Sequence, residues 1–272
     1  MRIMISAIVT ALSLSQTPVC AAPDGAELLW ARPETRFVFV GEIHGTVEAP
    51  AAFAELVCEA STDRPIVVAL EMTAAMQADL DAWIASDGGD AARETLLAHG
   101  YWIRANADGR SSEAMRDMLF RLRTLRAAGR DIAVRAFMPT ERRPAGFDQS
   151  YYEIDMARML VDAAASKPEA LVLALGGNLH NRKTAFNKDG YLFAAGHLRP
   201  TAVLSLNVAQ QGGQSWSCTG RSSGEIVCGS DDSIAVMDPE ARGVILEPQD
   251  DGAWDGLLAL GPWTASPPAR PE

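Results

Sequence analysis

The chain of 272 residues is poor in histidine, with four, and in aromatic side chains, at 7%. It has no polybasic run, and 24 Lys and Arg against 35 Asp and Glu leave a net charge of −11. Phosphate backbones are held by clustered cations, so nucleic acid is excluded as a partner. The basic residues between Arg116 and Arg130 recur at helical spacing beside Met115, Met118, Leu119, Leu122 and Leu125, which reads as the solvated face of an amphipathic helix. No Gly-x-Ser-x-Gly elbow surrounds Ser111 or Ser112, so these serines read as helix caps rather than nucleophiles. No stretch is long enough to cross a bilayer as a stable helix: the longest apolar run, Ile3 to Leu14, is about a dozen residues.

That run follows a basic start, Met1-Arg2, and precedes Pro18-Val19-Cys20-Ala21-Ala22, the pattern of a secretory signal peptide over residues 1–22. The expected location is therefore periplasmic or secreted. Cleavage after Ala21 or Ala22 would remove Cys20, and Val19 is bulky where a lipoprotein signal wants a small residue. Of the remaining cysteines, Cys218 and Cys228 lie close together in a Gly/Ser-rich segment and are expected to form a disulfide. Cys58, on the apolar side of a helical pattern, reads as a buried inert thiol.

Periodicity then alternates between strand and helix. Apolar runs predict strands at 36–40, 66–70, 131–137, 170–175 and 201–207, with helices over 48–60, 74–86, 113–128 and 150–165. Ser111 or Ser112 would cap the third helix at its start and Gly129 at its end. This order predicts an α/β fold, a mostly parallel central sheet flanked by helices, as a single domain over residues 23–263. Residues 212–230 interrupt it as a small disulfide-linked hairpin excursion, and 264–272, with three prolines, are expected to be a flexible tail.

One short pattern occurs twice at strand ends. Phe37-Val38-Phe39-Val40 runs into Gly41-Glu42-Ile43-His44, and Leu171 to Leu175 runs into Gly176-Gly177-Asn178-Leu179-His180. A third run, Ile66 to Leu70, stops at Glu71, and a carboxylate straight after a buried strand is costly unless it meets a cation or donors. In open α/β sheets this rim is where ligands bind. Imidazole and carboxylate are ligands for a divalent ion such as Zn, Mn, Co or Fe, and His44, His180 and one of Glu42 or Glu71 would supply about three. Asn178 beside the second turn, Lys183 after it and Tyr152 at the start of a helix are candidate substrate-binding residues. His99 and His197, taken singly, read as structural hydrogen bonders.

These motifs, Gly41 to Thr46, the strand ending in Glu71 and Gly177 to His180, resemble the superfamily that joins Tiki and TraB proteins, the ChaN haem-binding lipoproteins and the erythromycin esterases. The resemblance covers most of the mature chain and implies a parallel sheet wrapped by helices. It implies one of three activities: metal-dependent peptide hydrolysis, ester hydrolysis with a histidine base and no metal, or haem binding. The reading drawn from both is an exported metal-dependent hydrolase of a small-molecule or peptide substrate. In it His44 and His180 bind the ion, Glu71 is third ligand or orienter, and Glu42 is the general base. The alternatives are a haem- or metal-binding uptake protein without turnover and a metal-independent esterase.

Overall fold

The computed structural model describes residues 18–103, 108–140, 149–187, 190–220, 224–249 and 252–270. Most of the expected signal segment, residues 1–17, lies outside them.

Five parallel strands are β1 (Phe37–Glu42), β2 (Ile66–Thr73), β3 (Ile132–Met138), β4 (Leu171–Gly177) and β5 (Val203–Val208). Between them run α1 (Glu48–Ala60), α2 (Gln77–Ala85), α3 (Asp90–Leu97), α4 (Glu113–Ala127) and α5 (Gln149–Ser166). The hairpin strands are β6 (Gln211–Gly220) and β7 (Ile226–Ala235), and two short strands, β8 (Gly243–Ile245) and β9 (Gly256–Ala259), complete the set. The seven-stranded sheet has the order β3-β2-β4-β1-β5-β9-β8, with β8 alone antiparallel to its neighbour. The expected α/β architecture is therefore the one observed.

The strands read as continuous apolar runs because both faces of the sheet are covered. Val38, Val40, Val68 and Leu70 pack with α1 and α4 residues such as Phe53, Leu56, Leu119 and Leu122. Phe39, Val67, Ala69 and Val172 point the other way and meet Met156, Ala157 and Leu160 of α5. At the edge strand β3, Gln77 donates to Val134 O and accepts from Ala136 N, so one side chain covers backbone groups that would otherwise be open. Ser112 caps α4 by accepting from Met115 N, and Gly129 follows the last turn with φ of 91°.

Three expectations need correction. Cys58 is not a free thiol: it is bonded to Cys20, with Cα atoms 5.5 Å apart, so a cut after Ala21 or Ala22 would leave Cys20 joined to the chain only through sulfur. The same bond consumes the sulfur a lipid anchor would need. Residues 264–270 are not a loose tail, because Ser266 N donates to Gly45 O at 2.8 Å, Ala269 N to Ser111 O at 2.9 Å, and Ser266 is buried. Finally, α3, β8 and β9 are additional elements; β8 and β9 are three and four residues long, too short to show a period. Cys218 stands directly opposite Cys228 in the hairpin register and is bonded to it as expected.

Candidate active site

From β1 the chain moves to β2 and β3 on one side, returns to insert β4 between β2 and β1, and places β5 on β1's other flank. Strand order reverses around β1 and β4, and the crevice opens beyond their carboxyl ends. Its volume is about 310 Å³, and Glu42, Ile43, His44, Asp108, Gly177, Asn178, Leu179, His180 and Ser217 line it.

Glu71 is the hub. His44 Nε2 lies 3.5 Å from its Oε2 and His180 Nε2 lies 3.6 Å from its Oε1. Gly177 N donates to Oε2 at 2.6 Å, and Arg110 Nη1 stands 3.6 Å from Oε1. The pairing of β2 with β3 shifts register between Leu70 and Thr73, a break in the ladder at the position that carries Glu71.

Each imidazole is held from behind by its own carboxylate. His44 Nδ1 is 3.0 Å from Glu42 Oε1, and His180 Nδ1 is 3.0 Å from both oxygens of Glu153. Glu153 is fixed in turn by Ala194 N at 3.0 Å. Glu42 is only 2% exposed, and its Oε2 has no hydrogen-bond partner among the described residues. Buried carboxylate oxygens are rarely left so.

The glycines of the two motifs are spacers for this cluster. A Cβ on Gly177 would sit 3.0 Å from His44 Nε2, and one on Gly176 would sit 3.1 Å from Glu71 Oε2. A Cβ on Gly41 would lie 2.3 Å from Nδ2 of Asn181, which donates to Leu206 O and pins the loop after β4 against β5.

Charge follows from these contacts. Burial works against a charged His44, but Glu71 and Glu42 outweigh it and raise its pKa to about 10. Burial would raise Glu71, yet His44, His180 and the Gly177 N–H hold it well below the usual carboxylate range. His180 is raised against its burial by Glu153 and Glu71, with the His44 charge opposing. Burial and Glu71 push Tyr152 up, so it stays a neutral phenol.

His44, Glu42, Glu71 and His180 thus converge. Asn178 lines the crevice and its N–H donates to Glu42 O at 2.9 Å. Tyr152 packs beside His180, ring centroids 6.2 Å apart. Lys183 is elsewhere: its Nζ pairs with Asp255 Oδ1 at 2.5 Å, so the expected substrate contact is replaced by a structural ion pair. His99 accepts from Tyr101 N and His197 contacts Leu192 O, the structural roles expected of them. Glu153 and Arg110 are additions to the sequence-derived set. Glu153 had a signal, since it falls on the buried stripe of α5 with Met156, Ala157 and Leu160. Arg110 had none, because it stands in an irregular loop, its guanidinium held by Asp108.

The fold and site define an α/β protein with a strand-end crevice built on paired histidines and carboxylates. Three solved structures share the fold. A mutant of the erythromycin esterase EreC in its open conformation matches with a TM-score of 0.65 at 11% identity, covering 85% of this chain and 91% of that one. A protein from Bacillus cereus matches with a TM-score of 0.59 at 12% identity over 87% and 91%. The type III effector HopBA1 matches with a TM-score of 0.51 at 16% identity over 91% and 99%. No family model and no curated protein matches the sequence. The architecture is thus that of the erythromycin esterase structure, consistent with the resemblance carried by the motifs.

Proposed function

We propose that this protein is a hydrolase of carboxylic esters that works through its own side chains. The observation that carries the reading is Oε2 of Glu42, a buried acceptor with no partner among the described residues, on a side chain that lines the crevice and whose Oε1 meets His44. Glu42 Oε2 holds the attacking water and takes its proton as the water oxygen bonds to the carbonyl carbon. The oxyanion that develops meets the Nε2–H groups of His44 and His180. Their contacts to Glu71, at 3.5 and 3.6 Å, are too long to consume those donors. When the tetrahedral intermediate collapses, the leaving alkoxide takes the proton back from Glu42. Both imidazoles remain imidazolium throughout, in keeping with the raised pKa of each. A neutral ring giving its Nδ1–H to Glu42 or Glu153 would have no hydrogen on Nε2.

A divalent ion has donors of the right kind here, two imidazoles and carboxylates, but their arrangement does not suit it. Glu71 accepts from the Gly177 N–H and stands 3.6 Å from the Arg110 guanidinium, so a dication on its carboxylate would meet that group's positive charge. Among the described residues no group of three or more His, Cys, Asp or Glu is drawn together as a metal shell. No step is therefore routed through a metal. Export past the cytosol, with removal of a leader ahead of Cys20, is the compartment we infer. Two disulfides support it, and no helix among the described residues is long and apolar enough to cross a membrane.

The test is hydrolysis of 4-nitrophenyl esters by exported protein, with and without a chelator. Turnover that survives chelation and falls at least about 10²-fold in Glu42→Gln supports the reading. Turnover that disappears on chelation and returns with Zn or Mn would show the metal-dependent mechanism instead, and a Soret band on protein without turnover would show haem uptake.

A further inference from the structure

The hairpin of β6 and β7 is a wall of the crevice. Ser217, on β6, lines it directly. The preceding residue, Trp216, donates its N–H to Gly45 O at 2.9 Å, one residue from His44. Gly45 has φ of 80°, and a Cβ there would lie 2.2 Å from Trp216 O, so glycine is required for the ribbon and the His44 loop to meet. The Cys218–Cys228 bond ties the two strands together one residue beyond Ser217. The wall is thus fastened on both sides of that serine.

The Ser217 hydroxyl donates to Asp231 Oδ2 across the ribbon. A hydroxyl has one hydrogen and two acceptor lone pairs, so with its hydrogen committed to Asp231 it is left as an acceptor on a residue that lines the crevice. We propose that Ser217, oriented by Asp231, is a specificity-determining residue of the crevice, accepting a hydrogen bond from a hydroxyl or amino group that the substrate carries beside its scissile carbonyl. This rests on the hydrolytic reading of the same site.

The matched probes are 4-nitrophenyl 2-hydroxypropanoate and 4-nitrophenyl 2-methylpropanoate, similar in size, with rates corrected for uncatalysed hydrolysis. Wild-type protein favours the hydroxy ester by about tenfold in kcat/KM, the worth of one partly exposed hydrogen bond. Ser217→Ala brings the ratio near one, Ser217→Thr restores it, and Asp231→Asn, which can itself donate to Ser217, reduces it several-fold. A wild-type ratio near one, or a ratio kept in Ser217→Ala, overturns the proposal while leaving hydrolysis in place. If neither ester is hydrolysed, the hydrolytic reading fails. The wall is then judged by calorimetric titration with 2-hydroxypropanamide and 2-methylpropanamide, where a preference for the hydroxy amide lost in Ser217→Ala supports it and equal binding overturns it.

Discussion

Glu153 holds Nδ1 of His180 between both carboxylate oxygens, each 3.0 Å away. A residue on the buried face of α5 thereby favours the charge and fixes the aim of an imidazolium at the end of β4. Replacing Glu153 with Gln removes the charge but keeps an acceptor. The His180 pKa should fall in an NMR titration, and ester hydrolysis should drop about tenfold, ~1.4 kcal/mol of barrier. An unchanged His180 titration would mean that Glu71 alone sets its basicity.

His44 should leave a signature in stability against pH. Its folded pKa, about 10, lies above the ordinary 6.5, so its contribution is complete below about pH 6.5 and is lost as pH rises through about 10. Glu71 acts in the opposite direction: its folded pKa is depressed, so its contribution is present above the ordinary carboxylate pKa and is lost in acid. Denaturant melts from pH 6 to 10.5 should show wild type losing stability across that alkaline range and His44→Gln losing distinctly less. Parallel curves would contradict a charged His44.

The cysteine pairing has a mass signature. Intact protein should resist alkylation until reduced and then take up four labels, and its N-terminus should lie at or before Cys20. Loss of the Cys20–Cys58 bond should cost about 4 kcal/mol, given its separation of 38 residues. An N-terminus at Ala22 or Pro23, with Cys58 alkylated before reduction, would refute this pairing.

Gly41→Ala should damage the fold more than a buried methyl ordinarily does. The new Cβ would stand 2.3 Å from Nδ2 of Asn181, whose Oδ1 also accepts from Trp254 Nε1. Displacing Asn181 should cost about 1–3 kcal/mol and lower Tm by roughly 2–10 °C, read by calorimetry. An unaltered Tm would show that Asn181 can move freely.

The five parallel strands were legible because both faces are buried, which turns each into an unbroken apolar run. The strand-end histidines and glutamates were legible because charge directly after such a run needs a partner. What escaped lies where local pattern carries no information. Arg110 reaches Glu71 from an irregular loop, and Cys20 reaches Cys58 by a contact that only the packing of the N-terminal segment on α1 creates. Lys183 looked available because it follows His180 closely, yet the loop turns its side chain to Asp255, more than 70 positions away.

The hydrogen bond from Ser266 to Gly45 has a consequence for biosynthesis. The loop carrying His44 is closed by a residue synthesised more than 200 positions later, and Ser266 Oγ also accepts from Ala114 N at the start of α4. Contacts so distant along the chain form late. A nascent chain on the ribosome would carry β1 and its histidine long before the segment that completes their seating, so full hydrolytic competence should come only when Ser266 docks, and a chain stopped short of it should fold its sheet but leave Gly45 held by Trp216 alone.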